Sequence, residues 1–110
     1  VVDVLDDPLA DEIFHALADR TRRDIVRHVL VSEQSVSGLA RTYPMSFAAV
    51  QKHVAVLERA GLVTKRRHGR EQLVRGNADT LQRVRSLLDE LAALWQGRIA
   101  RIDDLLDGND

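Results

Sequence analysis

Apolar residues recur at steps of three and four through the last third of this chain. Leu81, Val84, Leu88, Leu91, Trp95, Ile102 and Leu105 keep the spacing, with Arg98 as the polar break, and Leu87, Leu94, Ile99 and Leu106 widen the stripe. Such steps put side chains on one face of an α-helix. Asn77 or Asp79 can cap its start, and the pattern runs to about Asp107. That is roughly 30 residues, or ~45 Å at about 1.5 Å per residue. The whole chain has 110 residues, enough for one domain with a modest core. So long a stripe is more apolar face than one small domain covers alone. Part of it must enter the chain's own core; the rest calls for a second copy across a two-fold axis. Leu9, Ile13, Leu81, Val84, Leu88, Leu91, Trp95 and Ile102 are the residues expected at that interface.

The middle of the chain carries a different signal. Net charge is −1, but it is unevenly spread. Residues 1–40 hold four arginines against eight acids, residues 41–76 hold eight Lys/Arg against two acids, and residues 77–110 hold four arginines against seven acids. The segments therefore stand at −4, +6 and −3. Such a chain has a directional field that draws a polyanion to one face and repels it elsewhere.

Punctuation residues divide the rest. Pro8 can sit in the first turn of a helix, followed by Asp11 and Glu12 near its positive end, with Leu9, Ile13, Phe14 and Leu17 at helical spacing. Asp19 is a plausible cap for a second helix whose apolar face is Ile25, Val26, Val29 and Leu30. SEQS reads as a polar break, and VSGLARTY as a short third helix starting near Ser35 or Ser37. Pro44 ends it, and Ser46 can cap a fourth helix in which Val50, Val54 and Leu57 share a face. Gly61 suits the position after a helix end. LVTKRR and EQLVR are strand-like around a turn at Gly69.

The expected fold is mainly α with a small β-hairpin: one winged helix-turn-helix domain over residues 1–110 with a long C-terminal dimerisation helix. The helix-turn-helix spans about 36–60, the wing about 62–76, and the dimerisation helices about 9–18 and 78–107. A helix fits the DNA major groove and presents its exposed residues to base edges. A cationic hairpin beside it can grip phosphates.

HALADRTRRDIVRHVL, then VSGLA, then SFAAVQKHVAVLERAGLV, then the wing RRHGREQLVR resemble the ArsR/SmtB-type winged-helix repressors over about residues 9–76. The resemblance implies a cytoplasmic homodimer, built on the first and last helices, that binds inverted-repeat operators. Many such proteins release DNA when a metal binds.

Ser46, Phe47, Ala48, Gln51 and Lys52 lie off the Val50–Val54–Leu57 face and are the candidate groove residues. Gln51 can pair bidentately with adenine, Lys52 can meet phosphate or guanine, and Phe47 can pack on a thymine methyl or turn into the core. The resemblance departs here, since family members often have Ser where Gln51 stands and a polar residue where Phe47 stands. Strand alternation must divide Lys65, Arg66, Arg67, His68 and Arg70 between two faces. Arg67 and Arg70 flank the turn and are the preferred DNA contacts, with Arg66 as a further candidate. His53 reads as a hydrogen-bonded helix residue rather than a ligand.

Metal sensing lacks its ligands. The chain has no cysteine, and residues 77–110 contain no histidine. His15, His28, His53 and His68 fall on four different elements. No metal and no cofactor is expected, although a dimer interface leaves room for an unnamed small-molecule effector. Ser46 and His53 are about two helical turns apart, too far for a nucleophile–base pair, and no Gly-rich phosphate loop appears, so catalysis is not expected. No apolar run approaches a membrane span. The acidic start, VVDVLDDPLADE, has no signal-peptide pattern, and the absence of Met before Val1 suggests that residues precede it. The rival reading is a winged-helix protein–protein interaction module without specific DNA binding.

Overall fold

The computed structural model describes residues 7–107. The acidic residues 1–6 and the last three residues lie outside them. The elements run α1 (Ala10–Leu17), α2 (Arg20–Val31), β1 (Gln34–Ser35), α3 (Val36–Thr42), α4 (Phe47–Arg59), β2 (Val63–His68), β3 (Glu71–Gly76) and α5 (Ala78–Asp107). The architecture is mainly helical with one small antiparallel sheet, a winged helix-turn-helix.

Side-chain caps set the helix starts. Asp19 accepts from the Arg22 amide, Ser35 from Gly38 and Ser46 from Ala49, each taking up one otherwise orphaned N–H of the first turn. Asn77 Oδ1 accepts from the Asp79 amide at the start of α5. Helix α4 ends at Gly61, whose φ of 78° is a conformation that L side chains rarely adopt. Pro8 stands just before α1 rather than inside its first turn, and Asp7 Oδ1 accepts from the Leu9 amide there.

Two residues of the expected polar break form a strand. β1 joins the edge of β3 through Gln34 opposite Val74 and Ser35 opposite Leu73, giving the order β1-β3-β2. The hairpin pairs Val63 with Gly76 through to His68 with Glu71, leaving Gly69 and Arg70 as the loop. Gly69 has φ 63°, whereas Arg70 does not have a positive φ, which matches the type II′ pattern with glycine first.

One core holds these parts together. Ile13, Ile25, Val29, Leu39, Val50, Val54, Leu57, Leu62, Val63 and Val74 are its fully buried large side chains. Ile13 is 0% exposed in the single chain, so the expectation that it meets a second copy is corrected: it has no surface left to offer. Val84 is likewise buried, while Leu9 and Leu81 lean on the core, partly exposed. Beyond Leu87 the α5 stripe leaves the body: Leu91 is 49%, Trp95 56% and Leu105 68% exposed. The molecule is accordingly long, 73 × 28 × 21 Å.

The start of α5 is tied back by Arg83, which donates to both oxygens of the buried Asp7 at 2.7 and 2.5 Å. That fork holds the Asp7 carboxyl below its ordinary range.

Candidate nucleic-acid interface

Helix α4 is pinned on its inner side and free on its outer side. Val50, Val54 and Leu57 enter the core. Ser46, Phe47, Ala48, Gln51 and Lys52 are exposed. Phe47, at 47% exposure, points outward rather than into the core.

The helix-turn-helix turn is held from behind. The Tyr43 hydroxyl donates to Asp24 Oδ2 of α2 at 2.7 Å, and the Met45 amide donates to the Tyr43 carbonyl at 2.8 Å. Burial, with the Asp24 hydrogen bond, pushes the Tyr43 hydroxyl well above its ordinary range, and the same bond lowers Asp24. Arg22 joins three elements: it donates through Nε to the Ala16 carbonyl at 2.8 Å, through Nη2 to the His15 carbonyl at 3.0 Å, and through Nη1 to His53 Nδ1 of α4 at 3.3 Å. His53 is thus a hydrogen-bonded helix residue, as its sequence context suggests.

An open cleft of about 340 Å³ runs between α4 and the wing. Phe47, Gln51 and Val54 form its helical wall, and Lys65, Arg67, Arg70, Glu71 and Gln72 its wing wall. Val36 and Ser37, at the start of α3, close one end. Four of the sequence candidates therefore meet here: Phe47, Gln51, Arg67 and Arg70. Ser46, Ala48 and Lys52 are exposed on α4 but do not line the cleft.

Arg66 is on the other side of the sheet, and its placement among the DNA contacts is corrected on that ground. Lys65 and Arg67 share a parity that faces α4, so Arg66 must face away. Its Nε and Nη2 donate to Glu33 Oε2 and Oε1 at 2.9 and 2.8 Å. This fork lowers the Glu33 carboxyl and raises Arg66.

Lys65, Gln72 and Ser37 are cleft residues that the candidate list lacks. Lys65 faces the cleft but also pairs with Glu58 of α4 at 3.3 Å. Gln72 follows from hairpin register, since it stands opposite Arg67. A two-residue loop at Gly69 would have been enough to place it.

Among the described residues, no group of three or more His, Cys, Asp or Glu side chains could hold a metal ion. No described helix is long and apolar enough to cross a membrane.

A helix-turn-helix flanked by a cationic wing defines a DNA-binding protein of the winged-helix class. The family model for bacterial regulatory proteins of the arsR family matches residues 19–65. The chain is 34% identical over 97 residues to the HTH-type transcriptional regulator Rv2034 of Mycobacterium tuberculosis, covering 88% of both chains. It is 37% identical over 81 residues to the HTH-type transcriptional regulator YuzN of Bacillus subtilis, covering 67% of this chain and 88% of that one. An ArsR-like transcriptional regulator from Rhodococcus superimposes with a TM-score of 0.86 at 30% identity, over 99% of this chain and 100% of that one. The fold is also that of a homodimeric winged helix-turn-helix DNA-binding domain from Mycobacterium bovis, with a TM-score of 0.63 at 24% identity over 93% of this chain and 85% of that one. This chain belongs to the ArsR family and is a transcriptional regulator.

Proposed function

We propose that the protein is a cytoplasmic, homodimeric repressor of an inverted-repeat operator, with no catalytic role and no family-type metal site. The observation that carries this reading is the cleft in which Gln51 of the recognition helix meets Arg67 and Arg70 of the wing. Helix α4 enters the major groove, where Gln51 reads a base and Phe47 packs on a thymine methyl. Ser46, Ala48 and Lys52 line the helix's outer approach to the same groove. Arg67 and Arg70 neutralise phosphate.

Dimerisation uses the uncovered half of α5: Leu88, Leu91, Trp95 and Ile102, with Leu9 and Leu81 at the edge. Phe14 of α1, 42% exposed, takes the place that Ile13 cannot fill. Two recognition helices then sit about 34–36 Å apart, one DNA turn. The metal-free reading rests on the missing cysteines and on an α5 without histidine.

The test is binding anisotropy on a duplex enriched by the wild-type protein from a random pool, and on a scrambled duplex, over a salt series. Gln51→Ala should lose about 1–3 kcal/mol on the enriched duplex and much less on the scrambled one. Arg67→Ala should weaken both similarly and flatten the salt slope by about one unit. Equal losses from Gln51→Ala on both duplexes would remove the base-reading role. Failure to enrich any duplex would favour a protein–protein module instead.

A further inference from the structure

Glu33 lies in the last stretch before β1, and its partner Arg66 lies in β2. Those two strands are the opposite edges of the sheet, with β3 between them. Ser35, Leu73 and Arg66 form one row across the three strands, so alternation puts Glu33 on the same face as Arg66. The guanidinium therefore crosses the middle strand and closes a two-pronged bond on the carboxylate, at 2.8 and 2.9 Å. A fork of this kind fixes direction as well as distance. The same carboxylate feels the charges of Arg75 and His68, so it is the anionic centre of the wing's outer face.

The wing needs such a tether. In β2 only Val63, at the base, is buried, and the outer residues Arg66, Arg67 and His68 are exposed. In β3 the one buried residue is Val74. No apolar contact holds the outer half of the hairpin at a fixed angle to α4. Arg66 is itself 57% exposed in its side chain, and an ion pair that open to solvent adds little to global stability. What it constrains is where the free edge of the sheet stands.

We propose that Glu33 is a positioning residue for DNA binding, which through Arg66 sets the wing at the angle that brings Arg67 and Arg70 to the backbone. The inference rests on the DNA-reading role of the cleft, and it reverses a simple charge argument. Removing an acid from a DNA-binding protein raises its positive charge and should tighten binding. If the carboxylate holds the wing in place, removing it loosens binding instead. A wing that spends a tenth of its time correctly placed raises the apparent Kd about tenfold.

The experiment measures Glu33→Gln, Arg66→Gln and the double variant on the duplex enriched by the wild-type protein, over a salt series. Hydrogen exchange of the wing amides is followed alongside. The expected result is a rise in Kd of about tenfold for each single variant, with the double variant no weaker than either single one. The salt slope stays as in wild type, because no phosphate contact is deleted. Exchange of the outer wing amides speeds up while that of α4 does not. Tighter binding by Glu33→Gln, or opposed effects that cancel in the double variant, overturns the proposal. Arg66→Lys keeps the charge but not the fork, so it tests the same idea if Glu33→Gln does not fold. Positioning predicts weaker binding by Arg66→Lys with an unchanged slope; unchanged affinity overturns it. An inability of the wild-type protein to enrich any duplex would refute the DNA reading itself, an outcome separate from all of these.

Discussion

Gly76→Ala gives a direct test of how tightly the wing's base is set against α2. A methyl group at Gly76 would stand 2.6 Å from Leu30 Cδ2, 2.8 Å from Leu30 Cγ and 3.0 Å from Leu30 Cα. Carbon atoms prefer about 3.5–4.0 Å. The Leu30 side chain is 41% exposed and can swing away, but its Cα cannot move without shifting α2. Overpacking of this kind costs about 1–3 kcal/mol. Alanine returns about 0.4–1 kcal/mol by restricting the unfolded chain. The net loss is roughly 0.5–2.5 kcal/mol. Unfolding entropy of about 2.1 cal/mol/K per residue gives ~0.23 kcal/mol/K for this chain, so Tm should fall by about 2–11 °C. Thermal unfolding followed by circular dichroism at fixed protein concentration measures it. Gly69→Ala is the matched comparison: its Cβ would meet nothing within 4 Å, but its φ of 63° is unfavourable for alanine. That substitution should cost about 1–2 kcal/mol from backbone conformation alone. Replacing Gly69 by Asn should recover part of its loss, and replacing Gly76 by Asn should recover none. An unchanged or raised Tm for Gly76→Ala refutes the close approach.

Acid should destabilise the fold in a defined direction. Asp7, Asp19, Asp24 and Glu33 are all held below their ordinary values, so the unfolded chain takes up protons first as pH falls. Their contribution is fully present above pH of about 4.5 and is lost as pH drops through the folded-state values, which lower urea midpoints at pH ~3 than at pH ~7 would reveal. Trp95→Ala combined with Leu91→Ala should shift sedimentation toward the monomer at tens of micromolar without unfolding the body, since neither side chain is in its core. Zinc should leave affinity for the enriched duplex unchanged, and a zinc-dependent loss of anisotropy would show that a site has been overlooked. If Lys52, Arg67 and Arg70 each meet one phosphate in both protomers, the logarithmic salt slope should be about −5, and a slope near zero would disprove backbone contact.

Local chemistry was legible in the sequence. Asp19, Ser35 and Ser46 act as caps because a short oxygen-bearing side chain can reach amides only a few residues away. Gly61 and Gly69 announce themselves because few other residues accept a positive φ. Non-local features were not legible. β1 is two residues long and pairs with residues about forty positions later, so neither its periodicity nor its length marks it as a strand. Ile13 belongs to the apolar face of α1 whether that face meets the body or a second copy, and spacing alone does not say which half is covered. Phe14 shows the other side of the same ambiguity. The Glu33–Arg66 fork joins residues 33 positions apart, with no local signature at either end.

The wing's charge also means something different once its register is known. As a count, residues 41–76 carry a net +6. The β2–β3 ladder splits those charges by parity. Lys65 and Arg67 fall on the side of α4, and Lys65 spends part of its charge on Glu58. Arg66 falls on the outer side and is matched by Glu33, outside the counted segment. What remains beside Gln51 is chiefly Arg67 and Arg70, two cations at the tip of a two-residue turn. The field that first marked this segment as a polyanion surface is therefore concentrated at one end of a cleft rather than spread along a hairpin. A cation at a tip reaches a phosphate ridge that a flat strand face would miss. The cations further down the wing hold the sheet to α4 and to the end of α2, so base-reading helix and phosphate-gripping tip keep a fixed relation to one another.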